Sequence, residues 1–119
     1  MSHLAIEFDP DDREATAALR LSGVASFREA PELRRALFDA ISVSKGKNLV
    51  VELGGIREMD TAAMAVLVEG CIATRDGEPA VFLMCASESV RKVFKLAGLE
   101  EALTRCYSCW EDVEKAIAV

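Results

Sequence analysis

The run NLVVELGGIREMDTAAMAVL, Asn48 to Leu67, holds a strand, a turn and a helix start in succession. Leu49-Val50-Val51-Glu52-Leu53 is a short β-branched segment with the length of a buried strand. Gly54-Gly55 is read as the break that ends it, and Ile56-Arg57-Glu58-Met59 carries the chain over the strand's end. Asp60 then stands where a helix N-cap belongs, because its carboxylate can accept the free N–H groups of a first turn. Behind it, Met64, Leu67, Val68, Cys71 and Ile72 recur at the spacing of one apolar helical face. Thr61 is thereby placed in the first turn with its hydroxyl outward. Two readings follow from spacing alone: Asp60 and Thr61 merely start a helix, or Thr61 is a phosphoacceptor that switches a binding surface.

Working outward, Leu4, Ile6 and Phe8 alternate as a half-buried strand, and Asp9-Pro10-Asp11-Asp12 has turn chemistry. A second strand near Thr16 to Leu21 completes an antiparallel hairpin, and Gly23 to Glu29 is expected as a loop. Pro31 suits the first turn of a helix from about Ala30 to Val43 that buries Leu33, Leu37, Ala40 and Ile41. The Thr61 helix should stop near Arg75, where Asp76-Gly77-Glu78-Pro79 makes a break. Ala80 to Ala86 is an unbroken apolar run, the mark of a strand covered on both faces. Ser87 caps the next helix, with Val90, Val93, Phe94 and Ala97 inward and Gly98 at its end. A short strand at Thr104 to Cys106 precedes a last helix that opens at Ser108 to Glu111, in capping-box spacing, and turns Val113, Ala116 and Ile117 inward.

Strand–helix alternation after an opening hairpin implies an α/β fold: a mixed sheet of about five strands, parallel at its centre, with about four packed helices. In such sheets, sites collect at the carboxyl ends of strands, where Gly54 to Thr61 lies.

Three segments carry a family resemblance. The Asp60-Thr61 stretch resembles the signature of the STAS domain family, where an apolar strand leads to Asp-Ser-Ser-Gly-Leu-Gly or Asp-Ser-Thr-Gly-Leu-Gly. Leu19 to Gly23 is similar to that family's early strand ending in Leu-x-Gly, and Val90 to Leu99 to its Val-x-x-x-Phe-x-x-x-Gly-Leu helix and cap. The chain departs from the pattern at Ala62, at Ala63 in place of Gly, and at Ser26, where an Asp is often found. The resemblance implies a STAS-like fold over residues 1–119 as one domain, with the early strand beside the Leu49 strand and Ser26 near Thr61. In the family's bacterial anti-anti-sigma factors, the hydroxyl residue after the Asp is phosphorylated by the partner anti-sigma kinase. It therefore implies phosphorylation at Thr61 and a partner surface of Ser26, Asp60, Thr61, Ala62, Ala63 and Met64. The implied partner is an anti-sigma factor that is a serine/threonine kinase of the histidine-kinase-like ATPase fold. The alternative is a non-switching binding subunit of a lipid-transport ABC ATPase or sensory complex, and a homodimer is a further candidate assembly.

Composition narrows the field. The 119 residues are 51% hydrophobic and 29% charged, with a net charge of −6. An acidic chain without a Lys/Arg cluster is poorly suited to nucleic acid or anionic membrane. No stretch reaches the ~18 to 20 apolar residues of a membrane span, and the acidic start lacks a signal peptide's basic and apolar regions, so a cytoplasmic location is expected. The sole histidine is His3, and no nucleophile–base pair or paired acid stands out, so an enzyme is not expected. Gly54-Gly55 lacks the further glycines and Lys of a phosphate loop, and no cofactor is expected. Cys71 and Cys85 read as apolar packing; Cys106-Tyr107-Ser108-Cys109 lies too near the C-terminus for a thioredoxin-type motif and lacks partners for zinc.

Overall fold

The computed structural model describes residues 3–13, 15–44, 47–74, 80–84, 86–96, 98 and 106–118. The expected break at Asp76 to Pro79, Cys85, Ala97, Leu99 and the start of the Thr104 strand lie outside them.

Five strands and four helices follow in the order β1 (Leu4–Arg13), β2 (Thr16–Ala25), α1 (Ala30–Val43), β3 (Asn48–Met59), α2 (Thr61–Ala73), β4 (Val81–Met84), α3 (Glu88–Leu96), β5 (Cys106–Tyr107) and α4 (Trp110–Ala118). The strands form one sheet in the order β1-β2-β3-β4-β5. β1 and β2 pair antiparallel, and the three remaining pairings are parallel. The expected α/β architecture, with its hairpin and parallel centre, is thus the one observed.

The first corrections concern the hairpin. Asp9 to Asp12 is not the turn: β1 runs through Pro10 to Arg13, which pairs with Thr16 after a register shift beyond Asp9. An edge strand tolerates Pro because one side of its backbone has no ladder to complete. The reversal lies between Arg13 and Thr16, where Ala15 takes a left-handed φ of 56°. β2 continues to Ala25, beyond the expected loop start at Gly23. Gly23 has φ 97° and packs against the carbonyl of His3, which accepts a hydrogen bond from Val24 N–H at 3.0 Å. Few side chains fit there.

Gly54-Gly55 does not end β3, which reaches Met59. Register shifts against β2 between Arg20 and Ser22 and between Gly23 and Val24 absorb the irregularity instead. At Gly55 an added β-carbon would lie 2.7 Å from Ser22 Cβ and 3.0 Å from Leu21 O. The glycine is there for close strand approach, not for chain reversal.

Side-chain alternation divides the core. Leu19, Leu21, Leu49, Val51, Leu53, Val81 and Leu83 face α1, α2 and α3, meeting Leu33, Leu37, Met64, Leu67, Val90 and Phe94. On the opposite face Val50, Phe82 and Met84 meet Val113 of α4, with Trp110, Ala116 and Ile117 packed against them. All four residues of β4 are buried, as an unbroken apolar run covered on both faces requires. α1 matches its sequence bounds and buries Leu33, Leu37 and Ala40. α2 buries Ala63, Met64, Val66, Leu67, Gly70 and Cys71, while Ile72 is exposed. Its apolar residues surround the axis, so the buried side coincides only in part with the stripe that the spacing predicts. Where the hairpin leaves its outer face uncovered, Arg20 pairs with Glu52 at 2.7 Å and with Asp12 and Glu7. The hydrogen bond to Asp12 is the largest influence holding its guanidinium above its ordinary pKa. Among the described residues no helix is long and apolar enough to cross a membrane.

Candidate functional site

Parallel pairing of β2 with β3 sets Ala25 opposite Met59, so both strands deliver the chain to the same rim of the sheet. Asp60 is the next residue, and it is engaged three ways. Its backbone N–H donates to the carbonyl of Ala25 at 3.0 Å. Its Oδ1 accepts the N–H of Ala63 at 3.0 Å, completing the expected N-cap of α2. Its Oδ2 accepts the N–H of Phe27 at 2.7 Å. One carboxylate therefore satisfies donors from the loop before α1 and from the first turn of α2.

The Ser26 loop is organised from within. Ser26 Oγ and Ser26 N–H both donate to Oε1 of Glu29, at 2.9 and 3.1 Å, and Arg28 N–H donates back to Ser26 Oγ at 3.3 Å. The Ser26 carbonyl accepts the N–H groups of Glu29 and Ala30, each at 3.0 Å, which launches α1. Glu29 is buried, and the hydrogen bonds from Ser26, first the backbone N–H and then the hydroxyl, hold its carboxyl below the usual carboxylate range. Ser26 is half-buried, and its hydroxyl serves the loop.

Thr61 is exposed at the first position of α2, and Ala62 and Ala65 are exposed beside it on the helix. Ala63 and Met64 are not part of the surface: both are fully buried. The correction follows from helix phase: Thr61, Ala62, Ala65, Glu69 and Ile72 share the exposed side of α2, and Ala63 and Met64 fall with Leu67, Gly70 and Cys71 on the buried side. The residue that sequence reading missed is Phe27, 64% exposed and tied by its backbone to Asp60. Its signal was an aromatic in a polar loop, outside either apolar periodicity. Next to Ser26 and Asp60 a groove of about 370 Å³ runs toward α3, its floor including Val24, Met59, Val90 and Val93. Among the described residues no cluster of His, Cys, Asp or Glu is placed to hold a metal ion.

The site thus joins an exposed hydroxyl residue, next in sequence to Asp60, and an exposed aromatic residue, bound to it through the backbone, at a carboxylate already committed to backbone donors. The rim is open to solvent at Thr61, Ala62, Ala65 and Phe27.

Comparison with known proteins gives one family and several solved structures. The STAS domain matches residues 7–116. No match was found among curated protein sequences. An anti-sigma factor antagonist from Mycobacterium paratuberculosis superposes with a TM-score of 0.80, at 16% identity over 98% of this chain and 95% of that one. The Bacillus cell fate determinant SpoIIAA in its phosphorylated form gives 0.68, at 16% identity over 95% of this chain and 99% of that one. A sulfate transporter family protein from Wolinella succinogenes gives 0.65, at 20% identity over 87% of this chain and 89% of that one.

Proposed function

Because the chain belongs to the STAS domain family, we propose that it is a regulatory binding protein of the anti-sigma factor antagonist kind, which holds a partner anti-sigma kinase and releases it on phosphorylation of Thr61. The observation that supports this most is the exposure of Thr61 beside a carboxylate that ties two loops together. The partner surface in this reading is Thr61, Ala62, Ala65 and the ring of Phe27, with Asp60 and Ser26 holding it in shape from beneath.

Phosphorylation would add roughly −1.5 to −2 charge at Thr61. The N-terminus of α2 favours an anion by about 0.3–1 kcal/mol. Two unit charges about 4 Å apart repel by about 4 kcal/mol at an effective dielectric near 20, and solvent salt reduces this. With the phosphate at that separation from Asp60, repulsion outweighs the helix-end benefit, and it grows when a partner covers both groups. The phosphate also competes for the first-turn N–H groups, one of which Asp60 holds. The result is weaker partner binding with the core unchanged.

A second reading, a non-switching subunit of a lipid-transport ATPase or sensory complex, draws on the likeness to a sulfate transporter family protein and on the departures Ala62 and Ala63. Affinity capture with mass spectrometry separates the two. A kinase of the histidine-kinase-like ATPase fold supports the first reading, and an ABC ATPase subunit the second.

A further inference from the structure

β1 is a terminal strand of the sheet, and among the described residues no strand lies on its outer side. In an antiparallel pair, successive residues aim their backbone groups alternately at the partner strand and away from it. Val24 N–H donates to the His3 carbonyl at 3.0 Å, so His3, Ala5 and Glu7 face β2. Asn48 N–H donates to the Ala15 carbonyl at 2.9 Å, which sets the same phase from the other side by turning Leu19 and Leu21 toward β3. Phe8 and Ile6 stand opposite those two leucines and therefore aim their N–H and C=O groups at the open edge. Among the described residues no hydrogen bond reaches them there. The open run is short, because Pro10 has no N–H and its carbonyl accepts from Lys47 Nζ at 2.8 Å.

The two faces of this edge differ in chemistry. On the helix side a cleft of about 220 Å³ lies between Ile6 and Phe8 of β1 and Ala36, Ala40 and Val43 of α1, with Asp39 also in its lining. Val43 is 66% exposed. On the opposite side one guanidinium, that of Arg20, is shared by Glu7, Asp9, Asp12 and Glu52, and Glu7 is largely exposed.

From this arrangement we propose that the β1 edge docks an extended segment of another protein in which apolar and basic residues alternate, added to the sheet as one further strand. Such a strand exchanges backbone hydrogen bonds with Ile6 and Phe8, and its side chains opposite those residues lie over the cleft. The side chain between them falls on the other face, opposite Glu7, where a Lys or Arg meets uncompensated negative charge. A second copy of this chain is a poor occupant. Antiparallel pairing that sets Ile6 opposite Phe8 places Glu7 against its own counterpart, a destabilising like-charge pair. The cleft shares no lining residue with the groove beside Asp60, so the site is separate from the Thr61 surface.

The probe is the capped peptide Lys-Val-Lys-Val-Lys-Val-Lys, titrated into the isotope-labelled full-length chain and followed by amide NMR. Shifts should centre on Ile6, Phe8 and Val43, with slowed hydrogen exchange at the Ile6 and Phe8 amides. The same peptide N-methylated at its valines lacks the donors that face the edge and should bind at least about fivefold more weakly. Glu7→Lys should weaken the basic peptide and strengthen its glutamate counterpart, Glu-Val-Glu-Val-Glu-Val-Glu. Val43→Lys, at an exposed position, should leave the circular dichroism spectrum unchanged and weaken the basic peptide by about tenfold. Absence of shifts at Ile6 and Phe8 would overturn the proposal. So would equal binding of the basic and acidic peptides, an N-methylated peptide that binds as well as its parent, or Val43→Lys binding as the unmodified chain does. Self-association of the free chain in sedimentation, abolished by Val43→Lys, would assign the edge to a second copy and overturn it as well.

Discussion

The backbone N–H of Phe27 donates to Asp60 Oδ2 at 2.7 Å, across 33 positions of sequence. With Oδ1 of the same carboxylate accepting the Ala63 N–H, the loop before α1 and the first turn of α2 share one acceptor group. The rim on which Thr61 stands is consequently a joined surface rather than two independent loops.

Replacing that carboxylate should be felt in the fold. Asp60→Ala strips acceptors from two backbone donors, one of them a helix cap, and should destabilise by about 1–2 kcal/mol. Asp60→Asn keeps one acceptor oxygen and should lose less. Urea unfolding midpoints at constant slope check both values.

Gly55 and Gly70 make a comparative test. Gly55→Ala drives a β-carbon to 2.7 Å from Ser22 Cβ and 3.0 Å from Leu21 O, and a strand cannot easily yield there. A loss of about 1–3 kcal/mol is expected. Gly70→Ala meets Leu37 Cδ2 at 2.6 Å, the end of a side chain that can rotate. A helix-interior gain of up to about 1 kcal/mol offsets part of that strain. The Gly55 variant should therefore unfold at the lower urea concentration.

Glu29 predicts a pH signature. Its carboxyl is held below its ordinary range by donation from Ser26 N–H and then Ser26 Oγ. A folded pKa below the unfolded one gives stability that is complete above the unfolded carboxylate range and is lost as pH falls through the folded value. Ser26→Ala removes one donor, so Glu29 should titrate at a higher pH by NMR. The stability of that variant should also decline less steeply between neutral and acid pH.

Phe27→Ala separates binding from folding. A ring 64% exposed contributes little to the core, so stability should change by no more than about 0.5 kcal/mol. Affinity for the captured partner should nevertheless fall, because exposed aromatics at an interface centre carry a large share of binding energy. Thermal unfolding and titration of the same protein samples give both numbers.

Much of this was legible in the chain. Pro31 with Leu33, Leu37 and Ala40 located α1 to the residue, and Asp60 was readable as the cap of α2 because a cap is a local matter of one side chain and the next three N–H groups. The neighbouring of β2 and β3 came with the family resemblance, and the structure pairs them in parallel. What escaped was non-local. Gly54-Gly55 looked like a terminator, yet Gly55 serves the approach of Ser22 and Leu21 on the neighbouring strand. Pro10 looked like a turn residue, but its place on an edge strand depends on sheet order. Ala63 and Met64 follow Thr61 directly in sequence, yet the phase of a helix that is apolar on most sides places them in the core. The Phe27–Asp60 bond joins two loops that only the assembled sheet brings together.

The central claim is that Thr61 is an exposed acceptor whose phosphorylation loosens a partner. The most direct measurement titrates the captured partner into the unmodified chain and into the chain phosphorylated at Thr61, by calorimetry at one salt concentration. The account predicts at least about tenfold weaker binding for the phosphorylated form, equivalent to about 1.4 kcal/mol, with an unchanged circular dichroism spectrum. Equal affinities for the two forms would contradict it.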